Sequence, residues 1–168
     1  MDGGVMVSKI KGDATSTFGS DIDVAGNVVT DAPAFRATLS ADQSISSATI
    51  TKIQFNSESF DTHNLYDNAT NYRFTPDVAG YYQVNGSMRC EGTSVTQQIL
   101  YLYKNGSFYG SLGHQRDSAT NSVAGSDIVY LNGSSDYIEL YGRVDGTSPA
   151  FGFHSTGLCA FSAHLVSI

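Results

Sequence analysis

The stretch Phe55 to Val84, FNSESFDTHNLYDNATNYRFTPDVAGYYQV, decides the fold. Phe55 closes an apolar run that begins near Ile50. A polar loop containing Asp61 follows, punctuated by Tyr66 and Phe74. Thr75-Pro76-Asp77 reads as a turn, and Gly80 launches an alternating segment in which Tyr82 and Val84 share a side. Aromatic anchors separated by turn-forming polar residues are how a small β-sandwich ties its loops to its core.

Working outward, the same alternation recurs in both directions. Phe35, Ala37 and Leu39 alternate with Arg36 and Thr38. Tyr82, Val84, Gly86, Met88 and Cys90 share one face, opposite Tyr81, Gln83, Asn85, Ser87 and Arg89. Residues 98–112 read as a hairpin, with Asn105-Gly106 supplying the positive φ angles of a tight primed turn. Residues 127–144 predict a second hairpin turning near Asn132-Gly133, and 157–168 a last strand. Sustained helical periodicity is absent. Short strands, 17 glycines and frequent turn signals indicate an antiparallel sandwich.

The series Phe55, Asp61, Tyr66, Phe74, Gly80 and Tyr82 resembles the signature of the C1q/tumour-necrosis-factor-like jelly roll. The interval from Tyr66 to Phe74 is longer than the family's, and the hydrophobes expected after Tyr82 are reduced to Val84 and Gly86. The ending Cys-Ala-Phe-Ser-Ala-His-Leu-Val (159–166) is similar to the family's final strand: Phe161, Ser162 and Leu165 fit, and Ala163 replaces a glycine. The resemblance covers about 33–168. It implies an all-β, antiparallel jelly-roll head over 32–168, assembled as a compact homotrimer with aromatic-rich contacts. Residues 1–31 are expected to form a leader that is either flexible or anchors the head to a partner.

Composition narrows the function. Charged residues are 15% of the chain, the net charge is -7, and the 9 Lys and Arg form no cluster. Nucleic acid and anionic membranes are therefore poor partners. No apolar run reaches the ~20 residues of a membrane span, and the N-terminus lacks the apolar core of a secretory signal. Cys90 and Cys159, the only cysteines, read first as small buried hydrophobes and second as a disulfide.

Two segments are apolar on both faces, Ile99 to Tyr103 and Ile128 to Leu131. One face can fill the core; the other needs either a wide rim of tyrosines or a partner. With the resemblance, the second reading makes Tyr101, Tyr103, Tyr130, Tyr141 and Phe153 the expected trimer contacts.

Catalytic patterns are missing. The four histidines, His63, His114, His154 and His164, have no ligand spacing. The 152–157 segment misses a nucleophile elbow, and Glu139 is expected to face outward beside Tyr137 and Tyr141. No cofactor is expected. Calcium is the one to weigh, because some C1q-like heads bind it; Asp117, Asp136 and Asp145 are the loop acids available, each reading first as a turn residue. The sequons at Asn68, Asn105 and Asn132 also read as turns.

The expected protein is a non-enzymatic phage virion component: a head fibre, decoration or tail-fibre tip made in the host cytoplasm. The leader would bind other virion proteins, and the head would meet a host-surface receptor or glycan. The approach SDIDVAGNVVTDAPAF resembles the lead-in to such domains in phage structural proteins. The alternative is a secreted or cell-surface bacterial lectin or ligand-binding module of C1q-like type.

Overall fold

The computed structural model describes residues 31–116, 122–153 and 158–168. The expected leader lies almost wholly outside these residues, as do Asp117 and His154. The described chain is all strand and turn, in the order β1 (Ala34–Thr38), β2 (Gln43–Ser44), β3 (Thr51–Lys52), β4 (Ser57–Asp61), β5 (Tyr66–Asp67), β6 (Arg73–Phe74), β7 (Ala79–Lys104), β8 (Ser107–Arg116), β9 (Ser122–Asn132), β10 (Ile138–Phe151) and β11 (Ala160–Ser167). All pairings are antiparallel.

Two sheets result, joined by β7. The A sheet runs β4-β1-β11-β7-β9 and uses the first half of β7. The B sheet runs β8-β7-β10 and uses the second half, with β2, β3 and β6 added on β10 and β5 on β6. Gly92 (φ 133°) and Ser94 (φ 52°) mark where β7 passes between sheets. A Cβ on Gly92 would lie 3.0 Å from the Thr147 carbonyl oxygen. The β7–β10 register breaks at that same corner, between Asp145 and Ala150.

The core lies between the sheets, and the opening stretch supplies much of it. Phe35 stacks on Tyr66 and on Phe74, each with ring centroids 4.6 Å apart, and meets Phe161 edge-on. Phe55 and Tyr82 are fully buried in the same cluster. Asp61 ties down the loop between them: its carboxylate accepts the Tyr66 N–H at 2.7 Å and the His63 N–H at 3.3 Å. The Tyr66 hydroxyl donates to the Phe55 carbonyl, and the Tyr82 hydroxyl to the Val78 carbonyl. Gly80 is needed for close approach, since a Cβ there would lie 2.4 Å from the Ser167 carbonyl oxygen.

The 98–112 hairpin forms, with Asn105 (φ 53°) and Gly106 (φ 74°) in its turn. The second predicted hairpin does not. β9 pairs with β7 in the A sheet, whereas β10 pairs with β7 in the B sheet. The Asn132 side-chain oxygen accepts the N–H groups of Ser134, Ser135 and Asp136, coiling the connection. Gly133 (φ 69°) packs its backbone against Ala79. The turn carries the chain across the sandwich instead of folding it back.

The edge strands β8 and β9 meet. A Cβ on Gly125 would lie 1.8 Å from the Leu112 carbonyl oxygen, and one on Gly113 would lie 2.4 Å from a Val123 methyl. Two glycines thus let the two backbones close that side, covering edges that would otherwise be open to pairing.

Candidate interaction faces

The expected interface residues divide between the two outer faces. On the A sheet, the register sets Tyr81 opposite Tyr130, Gln83 opposite Ile128 and His164, Asn85 opposite Ser126 and Ser162, and Ser87 opposite Ala124 and Ala160. Val129 and Leu131, of the opposite parity, are buried in the core. Tyr81 (49%), Ile128 (50%) and Tyr130 (47%) stay half exposed. The Tyr81 and Tyr130 rings meet edge-to-face at 5.4 Å, and Lys104 Nζ donates to the Tyr130 carbonyl. Farther along the same face, past the row of Gln83, Ile128 and His164, lies a hollow of about 350 Å³ lined by small residues of β7, β9 and β11, among them Asn85, Ser87, Ala124, Ser126 and Ser162. The face therefore carries both a protrusion and a recess.

On the B sheet, Leu100, Leu102 and Leu140 point inward, and Tyr101, Tyr103 and Tyr141 outward, with Ile99 of the same parity but buried. Tyr103 and Tyr141 stack at 4.1 Å. Phe108 of β8 meets Tyr101 edge-to-face at 5.9 Å and Tyr103 at 6.2 Å, and is 60% exposed. Burial raises the Tyr101 and Tyr141 hydroxyl pKa values above their ordinary range. Beside Tyr141, Lys52 Nζ pairs with the Glu139 carboxylate, donates to the Asn71 carbonyl and lies 5.7 Å from the Tyr141 ring centroid. Glu139 lies on this outer face beside Tyr141, as the alternation implies, but it is buried there, because Lys52 covers it and neutralises its charge. On the far side of Tyr141, Arg143 donates to both Asp145 oxygens, at 2.8 and 3.0 Å.

Tyr101, Tyr103 and Tyr141 thus share one face, Tyr130 lies on the other, and Phe153 is exposed just beyond β10. Two residues that strand parity alone could have added are Tyr81 and Phe108. Both sit opposite aromatics already singled out.

The arrangement of strands has known counterparts. The solved structure of murine APRIL at pH 8.5 superposes with a TM-score of 0.59 at 11% identity, covering 80% of this chain and 99% of that one. Eiger TNF from S. frugiperda superposes with a TM-score of 0.53 at 12% identity, covering 81% of this chain and 92% of that one. The chain has a tumour-necrosis-factor-like jelly-roll fold. No protein-family model matches the sequence, and no curated protein matches it.

The acids of this TNF-like head serve turns and ion pairs. Asp136 accepts hydrogen bonds from Asn105 Nδ2 and the Asn132 N–H and pairs with Lys104 at 2.9 Å; the Asn105 and Lys104 bonds lower its pKa. Asp145 is held by Arg143. Asp67 accepts the N–H groups of Ala69, Thr70 and Asn71, bonds led by Thr70 that hold its carboxyl at about 2. Among the described residues, His, Cys, Asp and Glu side chains form no metal-binding group. Cys90 and Cys159 are buried free thiols, and burial pushes Cys159 up to about 12, far from a reactive thiolate.

Proposed function

We propose that the chain is a non-catalytic structural protein of a phage particle, a head fibre, decoration or tail-fibre tip, whose jelly roll self-associates into a homotrimeric knob. The observation that carries the assembly is the A-sheet outer face. Tyr81, Ile128 and Tyr130 leave apolar surface in water, on the same face as a recess of small side chains. A second copy is a fitting occupant, because the rings projecting from one copy can enter the recess of the next, so that different patches meet. Heterologous contacts of this kind close into a ring when each turns the next copy by a third of a revolution. The outer faces of a sandwich's two sheets point away from each other. Contacts using both would propagate a filament, so the ring is assigned to Tyr130, Tyr81 and Ile128, and not to Tyr101, Tyr103 and Tyr141.

The virion role is supported by a surface poor in charge and by the lead-in segment resembling those of phage structural proteins. The 1–31 leader would attach the knob to other virion proteins, leaving the head to contact a host surface. Light scattering at several concentrations tests the assembly: a mass of three chains is expected, and a stable monomer refutes it. Fractionation of infected cultures tests the role. Copurification with intact particles is expected; a wholly soluble pool overturns it.

A further inference from the structure

We propose that the outer face of the B sheet is a binding platform for an uncharged polysaccharide chain. This deepens the reading of the head as a surface-contacting module and rests on it, but the face is separate from the one assigned to assembly. Four features point to this class of ligand.

First, the face is broad and open. It is built on the pairing of β8, β7 and β10, whose β7–β8 register shifts at Tyr101 and at Tyr103, and its rings run across three strands, so it suits an extended ligand rather than a small molecule that needs an enclosing pocket. Second, its centre is a continuous aromatic strip across three strands: Tyr141 on Tyr103, and Phe108 against both Tyr103 and Tyr101. Rings of this kind offer apolar area to the C–H faces of a sugar, and the phenol groups add hydroxyls at the wet margin.

Third, the charges nearest the stacked rings are already used, while Arg73 lies over the Tyr137 ring at 4.3 Å. Lys52 is held by Glu139 and the Asn71 carbonyl, and Arg143 grips Asp145 through two hydrogen bonds. An acidic or basic ligand could engage them only by breaking a pair and leaving a partner's charge uncompensated, most expensively at buried Glu139. A neutral ligand leaves both pairs intact and finds fixed polar atoms beside the rings. His114 and Arg116 lie farther along β8, opposite Ile99 and Gln97, beyond the stacked rings. Fourth, Phe108 is 60% exposed, although it is the residue that completes the strip. A large ring held in water at the end of an ordered row of rings is where a stacking ligand gains most.

Affinity electrophoresis of the full-length protein tests this, using gels containing laminarin, mannan or dextran as neutral probes and alginate as the anionic one. Retardation by at least one neutral polysaccharide is expected. Phe108→Ser and Tyr103→Ala should each weaken it by about tenfold, on the scale of a binding hot spot. Phe108→Ser changes an exposed side chain, so it keeps the test valid if Tyr103→Ala fails to fold. Tyr130→Glu should change the mass in solution and leave the affinity of each head for the gel polysaccharide intact. A parent protein with the mass of one chain that still binds polysaccharide therefore defeats the trimer reading alone. Three results overturn the platform: no retardation by any neutral probe, retardation by alginate only, or retardation unaffected by Phe108→Ser and Tyr103→Ala.

Discussion

The two outer faces of this sandwich use tyrosine in opposite ways. On the A sheet, Tyr81 and Tyr130 project from the face that also holds a recess with small neighbours, so their exposed surface invites a matching copy. On the B sheet, Tyr101, Tyr103 and Tyr141 are packed into a row with Phe108 and a shielded Lys52–Glu139 pair, forming an ordered strip. Aromatic content alone does not distinguish an interface from a platform. The side chains placed beside the rings do: small residues leave a socket, and paired charges leave a neutral surface.

The strongest way to break the contrast is a charge on each face. Tyr130→Glu should reduce the solution mass to that of one chain, whereas Tyr101→Glu should leave it at the assembled value. If light scattering gives the reverse, the roles of the two faces are exchanged.

A second comparison concerns the polar residues of each face. Lys52→Met removes the partner of a buried carboxylate and should cost about 2 kcal/mol, less than a fully buried pair because Lys52 is partly in water. Gln83→Met, on the A face, should stay within about 0.5 kcal/mol. Urea denaturation monitored by circular dichroism reads both, and equal costs would show that the ion pair does not organise the B face.

Smaller effects come from the loop anchors beneath the faces. Tyr66→Phe and Tyr82→Phe each delete a hydroxyl that donates to a backbone carbonyl and should each cost about 1 kcal/mol in the same measurement. A change in only one would show that the other carbonyl finds a new donor.

The smallest effect is at acid pH. Asp67 is held at about 2, below its unfolded value of about 3.9, so its contribution is present above that value and is lost as the pH falls through about 2. Thermal melting of the parent should decline over this interval more steeply than that of Asp67→Asn. Parallel curves would mean that the carboxylate's bonds to Ala69, Thr70 and Asn71 contribute nothing to stability.

The core was readable in advance because strand parity and burial are the same pattern. Phe35, Ala37, Tyr82, Val84, Met88 and Cys90 were placed by alternation, and all are buried. The Asn105-Gly106 turn was legible because its φ angles demand those residues. Two things were hidden. Asn132-Gly133 carries the same local chemistry but ends in a crossover, since whether β9 and β10 pair is decided by what each finds on β7. The burial of Glu139 on its outward face is hidden because its cover, Lys52, arrives from a strand 87 residues earlier in the chain. The allotment of Tyr130 to one face and Tyr101, Tyr103 and Tyr141 to the other was hidden for the same reason: parity tells in from out, but not which layer.

β7 has one further consequence. It borders β8, β9, β10 and β11, and so belongs to both layers at once. The layers share this strand and bury one core between them, so unfolding should be a single concerted event, with no stage in which one sheet survives alone. Because most of these pairings join distant parts of the chain, the ordering of β7 against its partners is a slow search, and the amides along its whole length should exchange at one common, slowest rate.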